Sequence, residues 1–302
     1  MRNKPQLVIL GGINGAGKSS TRDRYLMPDE SNVVVIDPDR LSKIYREQGL
    51  DKRSADMQGS RLAISMFEQV IKDKKDIFLE TTLSGQTIFN RMDKAKNNGY
   101  ETTTVYVGLS SVETHIARVA HRVKNGGHHI PEEIIRDRFS KADEQLKKAF
   151  ERSDNFYYYD NSGNKPVLSF EKNKEIDFII QHSQSEKINE ITKTISQQYG
   201  IKNIQEKDLG QELSSPVLGN TKTGNIVVIG DNFTLQKTGT GKIIAYETKN
   251  IPDIKLDDIG KKLQIFYGAD GKGEVLKRYD SGFDRQKHLN LDNSFSKELD
   301  FQ

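Results

Sequence analysis

The chain has 302 residues, 34% of them apolar and 29% charged, which suits two domains, one well packed and one more polar, better than a single large core. A net charge of +3 is too small to argue for nucleic acid as a partner of the whole chain, and the absence of cysteine excludes disulfides and cysteine-ligated zinc. No apolar run approaches the ~18 residues of a membrane span, and Met1-Arg2-Asn3-Lys4-Pro5 is not a secretory leader, so a cytoplasmic protein is expected.

Gln6-Leu7-Val8-Ile9-Leu10 is a short apolar run that predicts a buried strand. Gly12-Ile13-Asn14-Gly15-Ala16-Gly17-Lys18-Ser19 follows, a complete G-x-x-x-x-G-K-S loop, and a helix is predicted over Ser19–Leu26. A strand, a Gly-rich turn and a helix in that order aim backbone N–H groups at one point, where a polyphosphate can sit. The motif therefore predicts a nucleoside triphosphate site made by Gly12, Ile13, Asn14, Gly15, Ala16, Gly17, Lys18, Ser19 and Ser20. Lys18 is placed for the β- and γ-phosphates, and the Ser19 hydroxyl for a Mg²⁺ ion carried with ATP or GTP.

Asn32–Asp37 carries four consecutive apolar residues and predicts a strand buried on both faces. Helices are predicted over Gly59–Lys74, Gln86–Asn98, Val112–Lys124 and from Pro131 to about Arg152. Between them come strands at Asp76–Glu80, Thr102–Leu109 and Asn155–Asp160. Alternating strands and helices imply an α/β domain, a P-loop NTPase-type parallel sheet flanked by helices, closed by a helix over Glu175–Gln198. From Val217 the text changes to short Gly-punctuated strands. The domain expectation is therefore residues 1–200 for the α/β domain, 201–215 for a linker, 216–280 for a small β-rich module and 281–302 for a polar tail.

Parallel α/β sheets bind ligands beyond the carboxyl ends of their strands. There stand Asp37-Pro38-Asp39-Arg40 after the second strand and Glu80-Thr81-Thr82 after the third. Phosphoryl transfer needs positioning, charge neutralisation and a carboxylate near the attacking hydroxyl, and Asp39 is the candidate general base. Asp37 takes that role or caps the turn. Glu80 holds Mg²⁺ through water, accepts a substrate hydroxyl, or is simply an exposed acid at a strand end.

Residues 115–139 bring Arg118 and Arg122 one helical turn apart, a Gly126-Gly127 break, then Arg136 and Arg138. A helix, two glycines and a second helix bearing arginines suit a mobile phosphate-closing arm; the alternative is a solvated basic face. Four of the six histidines, His115, His121, His128 and His129, fall here without the acidic ligands of a metal site. Asp37, Glu80, Thr81, Thr82, His128 and Arg138 are assigned to the acceptor side, and Lys18, Asp39, Arg118 and Arg122 to catalysis.

Four stretches together resemble the zeta toxin family of P-loop kinases. They are Gly11 through Ser19, Val35-Ile36-Asp37-Pro38-Asp39, Leu79-Glu80-Thr81-Thr82, and the arm from Arg118 through Gly126-Gly127-His128-His129-Ile130-Pro131 to Phe139. The resemblance spans roughly residues 5–200. It implies ATP- or GTP-dependent phosphorylation of a UDP-activated amino sugar, with UDP-N-acetylglucosamine as the type substrate. It places the catalytic aspartate on Asp39, a substrate-contacting glutamate on Glu80 and phosphate-clamping arginines near Arg118, Arg122 and Arg138. It also implies an antitoxin protein as partner. Two other readings stand beside it: a P-loop kinase with another acceptor (a polynucleotide end, an antibiotic or a nucleotide), and an ATP-binding interaction protein. The stretches Gly230–Lys242 and Gln264–Gly268 resemble the small KfrB-like domain of plasmid and conjugation proteins, which implies an interaction role for this module, nucleic acid included.

Overall fold

The structure is a computed structural model and describes residues 4–22, 33–230 and 232–279. The chain divides into two compact units, the first Lys4–Glu171 and the second beginning at Lys172.

The first unit is α/β. Its strands are β1 (Gln6–Gly11), β2 (Val33–Ile36), β3 (Asp76–Thr81), β4 (Glu101–Gly108), β5 (Asn155–Asp160) and β6 (Val167–Lys172), in the order β2-β3-β1-β4-β5-β6. The pairs β2–β3, β3–β1, β1–β4 and β4–β5 are parallel. Every residue of β4 is buried, as a central parallel strand covered on both faces requires. Helices α1 (Lys18–Thr21), α2 (Pro38–Glu47), α3 (Lys52–Asp73), α4 (Gln86–Asn97), α5 (Val112–Lys124) and α6 (Glu132–Arg152) connect the strands. Because β2 and β3 lie on one side of β1 and β4 and β5 on the other, connections diverge at β1 and a crevice opens beyond its carboxyl end. Register sets the neighbours there: Leu10 lies beside Glu80, and Gly11 beside Thr81 and Tyr106.

The first helix is described only as far as Arg22, so the rest of the Ser19–Leu26 expectation lies outside the described residues. Two helical features were not read from sequence. One is α2, which Pro38 opens at a first-turn position where its missing N–H costs nothing. The other is the first two turns of α3, from Lys52 up to Gly59, capped by the Asp51 side chain. In the middle of α3, Gly59 meets Ser42 of α2, and a Cβ there would lie 2.6 Å from Ser42 N and 2.9 Å from its Cα.

The second unit corrects two expectations. No helix runs over Glu175–Gln198; Phe178–Gln181 is strand β7, every residue of it buried, and helix α7 is Glu186–Tyr199. The apolar run Phe178-Ile179-Ile180 fits a short covered strand, and the Ser185 side chain, accepting from Ile188 N, starts the helix only afterwards. Nor are residues 201–215 a linker. They form β8 (Lys202–Gln205), parallel to β7, then a 3₁₀ turn and α8 (Leu209–Glu212). Ile204 and Leu209 are buried in one core with Phe178, Ile180, Val227, Leu235 and Ala245, so this stretch is built into the module it was expected to tether. The module is antiparallel: β9 (Asn220–Ile229), β10 (Phe233–Thr238), β11 (Ile243–Glu247), β12 (Lys262–Tyr267) and β13 (Gly273–Tyr279), in the order β11-β10-β9-β12-β13. The expected tail, 281–302, lies outside the described residues.

Candidate nucleotide and phosphoryl-transfer site

The loop between β1 and α1 owes its shape to glycine. Gly12, Gly15 and Gly17 have φ of 142°, 80° and 94°, where a side chain is strained. A Cβ on Gly12 would strike the Val107 carbonyl, one on Gly15 the His115 carbonyl and one on Gly17 the Asn161 amide. Within the loop, Ala16 N donates to Ile13 O at 3.2 Å, and Lys18 Nζ lies 3.5 Å from the same oxygen. The Ser20 side chain is outside the described residues.

Lys18 stands at the centre of the charge. Burial lowers its pKa; Glu80 and Asp39, in that order, pull it back up, while Arg122 and Arg138 push it down. Both carboxylates and two arginines of the arm therefore act on one ammonium. Glu80 is raised above the usual carboxylate value, first by burial and then by Asp37, against the lowering effect of Lys18, Arg22 and Ser19. Its Oε1 accepts from Ser19 Oγ at 3.3 Å and its Oε2 from Arg22 Nη1 at 3.2 Å. Arg22 Nη1 also lies 3.6 Å from Asp37 Oδ2.

Asp37 caps α2: its Oδ1 accepts from Asp39 N at 3.0 Å and Arg40 N at 3.2 Å. Of the two roles read for it, the turn-ordering one is the role its contacts serve. The Asp39 side chain is exposed at the first turn of α2, and its charge reaches Lys18, Arg138 and His128. His128 is held below its ordinary value, first by desolvation and then by Lys52 and Arg46. Beyond Glu80, Thr81 Oγ1 accepts from Leu83 N at 3.1 Å and Thr82 Oγ1 lies 2.7 Å from Ser84 Oγ. Leu83 itself is buried at a left-handed φ of 54°, a strained turn beside the loop of the kind that collects at ligand clamps.

The arm is divided. Arg138 is half-buried and Nη1 donates to Asn14 Oδ1; burial lowers its pKa against the opposing pull of Asp39. Arg122 is exposed and donates to His128 O at 2.9 Å. Arg118 Nη2 donates to Asn161 O at 2.8 Å. Arg136 is bonded to Glu132 and Glu113, joining α6 to α5.

Three residues at this site were not singled out in the sequence. Arg22 follows Lys18 by four, one helical turn, and that spacing was the available signal. His115 was grouped with the arm, yet it is 2% exposed and its Nδ1 donates to Asn14 O at 2.8 Å. Asn161 follows β5, and its Nδ2 donates to Ala16 O at 2.8 Å; its position one residue past a strand end was the only pointer.

The protein-family model described as Zeta toxin matches residues 1–173. The chain belongs to the zeta toxin family. An uncharacterized protein of Haemophilus influenzae (strain ATCC 51907 / DSM 11121 / KW20 / Rd) is 37% identical over 139 residues, 46% of this chain and 94% of the relative. Among solved structures, the native AvrRxo1-ORF1:-ORF2 complex is similar with a TM-score of 0.50 at 15% identity, covering 63% of this chain and 64% of that one, a likeness of fold alone. A structure from the PezAT chromosomal toxin–antitoxin system of Streptococcus pneumoniae is similar at 16% identity and a TM-score of 0.44. The match covers 66% of this chain and 87% of that one. The zeta toxin match covers the whole first unit, and the fold it brings is that of a P-loop kinase.

Proposed function

We propose that this chain is the kinase toxin of a toxin–antitoxin pair, transferring the γ-phosphoryl group of ATP or GTP to a hydroxyl of a UDP-activated amino sugar such as UDP-N-acetylglucosamine. The observation that carries the reading is the set of charges acting on Lys18: Glu80, Asp39, Arg122 and Arg138 from four separate elements, β3, α2, α5 and α6. A bare nucleotide switch needs the loop and its lysine, but not a second carboxylate on α2 and cations from the arm. Membership of the zeta toxin family supports the toxin part of this reading; the acceptor class and the antitoxin partner are what the family resemblance implies.

In this reading the loop N–H groups and Lys18 hold the β- and γ-phosphates. Asp39 takes the proton of the acceptor hydroxyl as its oxygen attacks phosphorus; the bond from the γ-phosphorus to the β,γ-bridging oxygen breaks, and the nucleoside diphosphate leaves with the electron pair. Arg122 and Arg138 neutralise charge on the transferring group, which arginine's planar fork suits. The donor set beside the loop fits Mg²⁺, since Ser19 Oγ and Glu80 Oε1 are hard oxygens 3.3 Å apart with Asp37 near by. Ser19 would hold the ion directly and Glu80 through water; when bound, it neutralises phosphate charge. Thr81, Thr82 and His128 are assigned to the acceptor. The antiparallel module of the second unit, β9–β13, is assigned an interaction role.

The deciding experiment incubates the full chain with Mg²⁺, ATP or GTP, and a set of UDP-sugars, and reads the sugars by mass spectrometry. A gain of one phosphoryl group on a UDP-amino sugar is the expected result. Label transferred from γ-labelled ATP only to polynucleotide ends, antibiotics or nucleotides would replace the acceptor. Turnover independent of any acceptor would remove the kinase reading.

A further inference from the structure

Two carbonyls of the phosphate loop are gripped from outside it. His115 Nδ1, from α5, donates to Asn14 O at 2.8 Å, and Asn161 Nδ2, from the turn after β5, donates to Ala16 O at 2.8 Å. Both grips pass through glycine: the space of a Cβ on Gly15 is taken by the His115 backbone and that of a Cβ on Gly17 by the Asn161 amide. Neither gripping group is loose. His115 is 2% exposed and its ring packs edge-on against Phe139 at 5.7 Å. Asn161 N donates to Gly108 O at 2.9 Å, its carbonyl accepts from Arg118 Nη2 at 2.8 Å, and the turn is closed by Ser162 N and Oγ on Asp160 Oδ1.

A trans peptide is planar, with its N–H antiparallel to its C=O, and no peptide among the described residues is cis. Holding the Asn14 carbonyl against His115 therefore turns the Gly15 N–H away from His115. Holding the Ala16 carbonyl against Asn161 turns the Gly17 N–H away from Asn161. Left-handed glycines permit several peptide orientations, so without these grips both units are free to flip. Donors fixed before the ligand arrives bind it without a reorganisation cost.

We propose that His115 and Asn161 are positioning residues of the nucleotide site, each setting one peptide of the phosphate loop so that the Gly15 and Gly17 N–H groups face the triphosphate. This rests on the kinase reading above. It also gives Arg118 an indirect part: its guanidinium secures Asn161 from α5, tying the arm's first helix to the loop.

The test measures ATP–Mg²⁺ binding by calorimetry, and amide shifts by NMR, on the full chain labelled with ¹⁵N-glycine. His115→Phe keeps a ring and loses the donor; His115→Asn keeps a donor at the reach of Nδ1. Asn161→Leu keeps the shape and loses the donor. The expected result is an ATP Kd raised about tenfold or more in His115→Phe and Asn161→Leu, the scale of a lost charge-assisted bond, with His115→Asn close to wild type. In addition, the Gly15 amide should lose its ATP-induced shift in His115→Phe and the Gly17 amide in Asn161→Leu, while the KM for acceptor moves little. Wild-type affinity and wild-type glycine shifts in both donor-less variants would overturn the proposal. Should His115→Phe fail to fold, the Gly17 shift in Asn161→Leu decides it alone, and should neither donor-less variant fold, the wild-type shifts decide it, ATP–Mg²⁺ moving neither the Gly15 nor the Gly17 amide being the overturning result. A wild-type chain that does not bind ATP–Mg²⁺ at all would instead overturn the kinase reading, and this inference with it.

Discussion

Ser19 Oγ donates to Glu80 Oε1 at 3.3 Å, joining the last residue of the phosphate-loop motif to the end of a strand sixty-one positions later. The contact makes Glu80 part of the loop's own surroundings rather than an exposed acid at a strand end. It also sets the behaviour expected of each charged group around it.

Lys18→Ala should abolish phosphoryl transfer. The wild type at ATP–Mg²⁺ a hundredfold above Kd should gain about 2.7 kcal/mol of stability, and the variant should lose most of that gain. Thermal denaturation with and without nucleotide checks this; an undiminished shift in Lys18→Ala would place the nucleotide elsewhere.

Asp39→Asn should lower kcat by ~10²–10⁴-fold, the usual worth of a general base, while the ATP Kd changes little. Asp39 is exposed at the first turn of α2, so folding should be unaffected. Steady-state kinetics with saturating nucleotide reads the loss, and an unchanged kcat would move the base to another residue.

Glu80→Gln tests the raised carboxyl. Burial lifts its pKa above the usual 4.5, so between 4.5 and the raised value the folded chain holds a proton that the unfolded chain releases. Stability from this group is full below 4.5 and is lost as pH rises through the folded pKa. The melting temperature of Glu80→Gln minus that of the wild type should therefore climb as pH rises through that window and then level off. A difference flat with pH would show that burial does not govern Glu80.

Asp37→Ala should cost about 1 kcal/mol through loss of the α2 cap, and Asp37→Asn much less, because an amide oxygen still accepts from the backbone. Denaturant unfolding of the two variants separates capping from charge. Equal losses would assign the effect to the Arg22 pair instead.

The phosphate loop, Asp39 and Glu80 were legible in the sequence because motif and strand ends place them locally. Lys18 follows its glycines directly, and Glu80 ends an apolar run whose direction the parallel sheet dictates. Arg22, His115 and Asn161 were not legible as partners, since their contacts cross 58, 101 and 145 positions and no local pattern encodes them. The arm read as one functional unit because its charges are adjacent in the text. On a helix residues two apart face different ways, and Arg136 points to Glu132 and Glu113 while Arg138 reaches Asn14. The 201–215 stretch read as a tether because its polar residues outnumber Ile204 and Leu209, two side chains whose burial decides its place.

Asp39 owes its reach toward Lys18 to an atom that is missing twenty positions away. With no side chain at Gly59, α3 lets the backbone of Ser42 rest against it, and Ser42 is one turn along α2 from Asp39. Even a methyl group at residue 59 would wedge the two helices apart and carry the carboxylate off with α2. Such a chain would still grip its nucleotide, for the loop belongs to β1 and α1, but it would hold fuel with the spark gap set too wide.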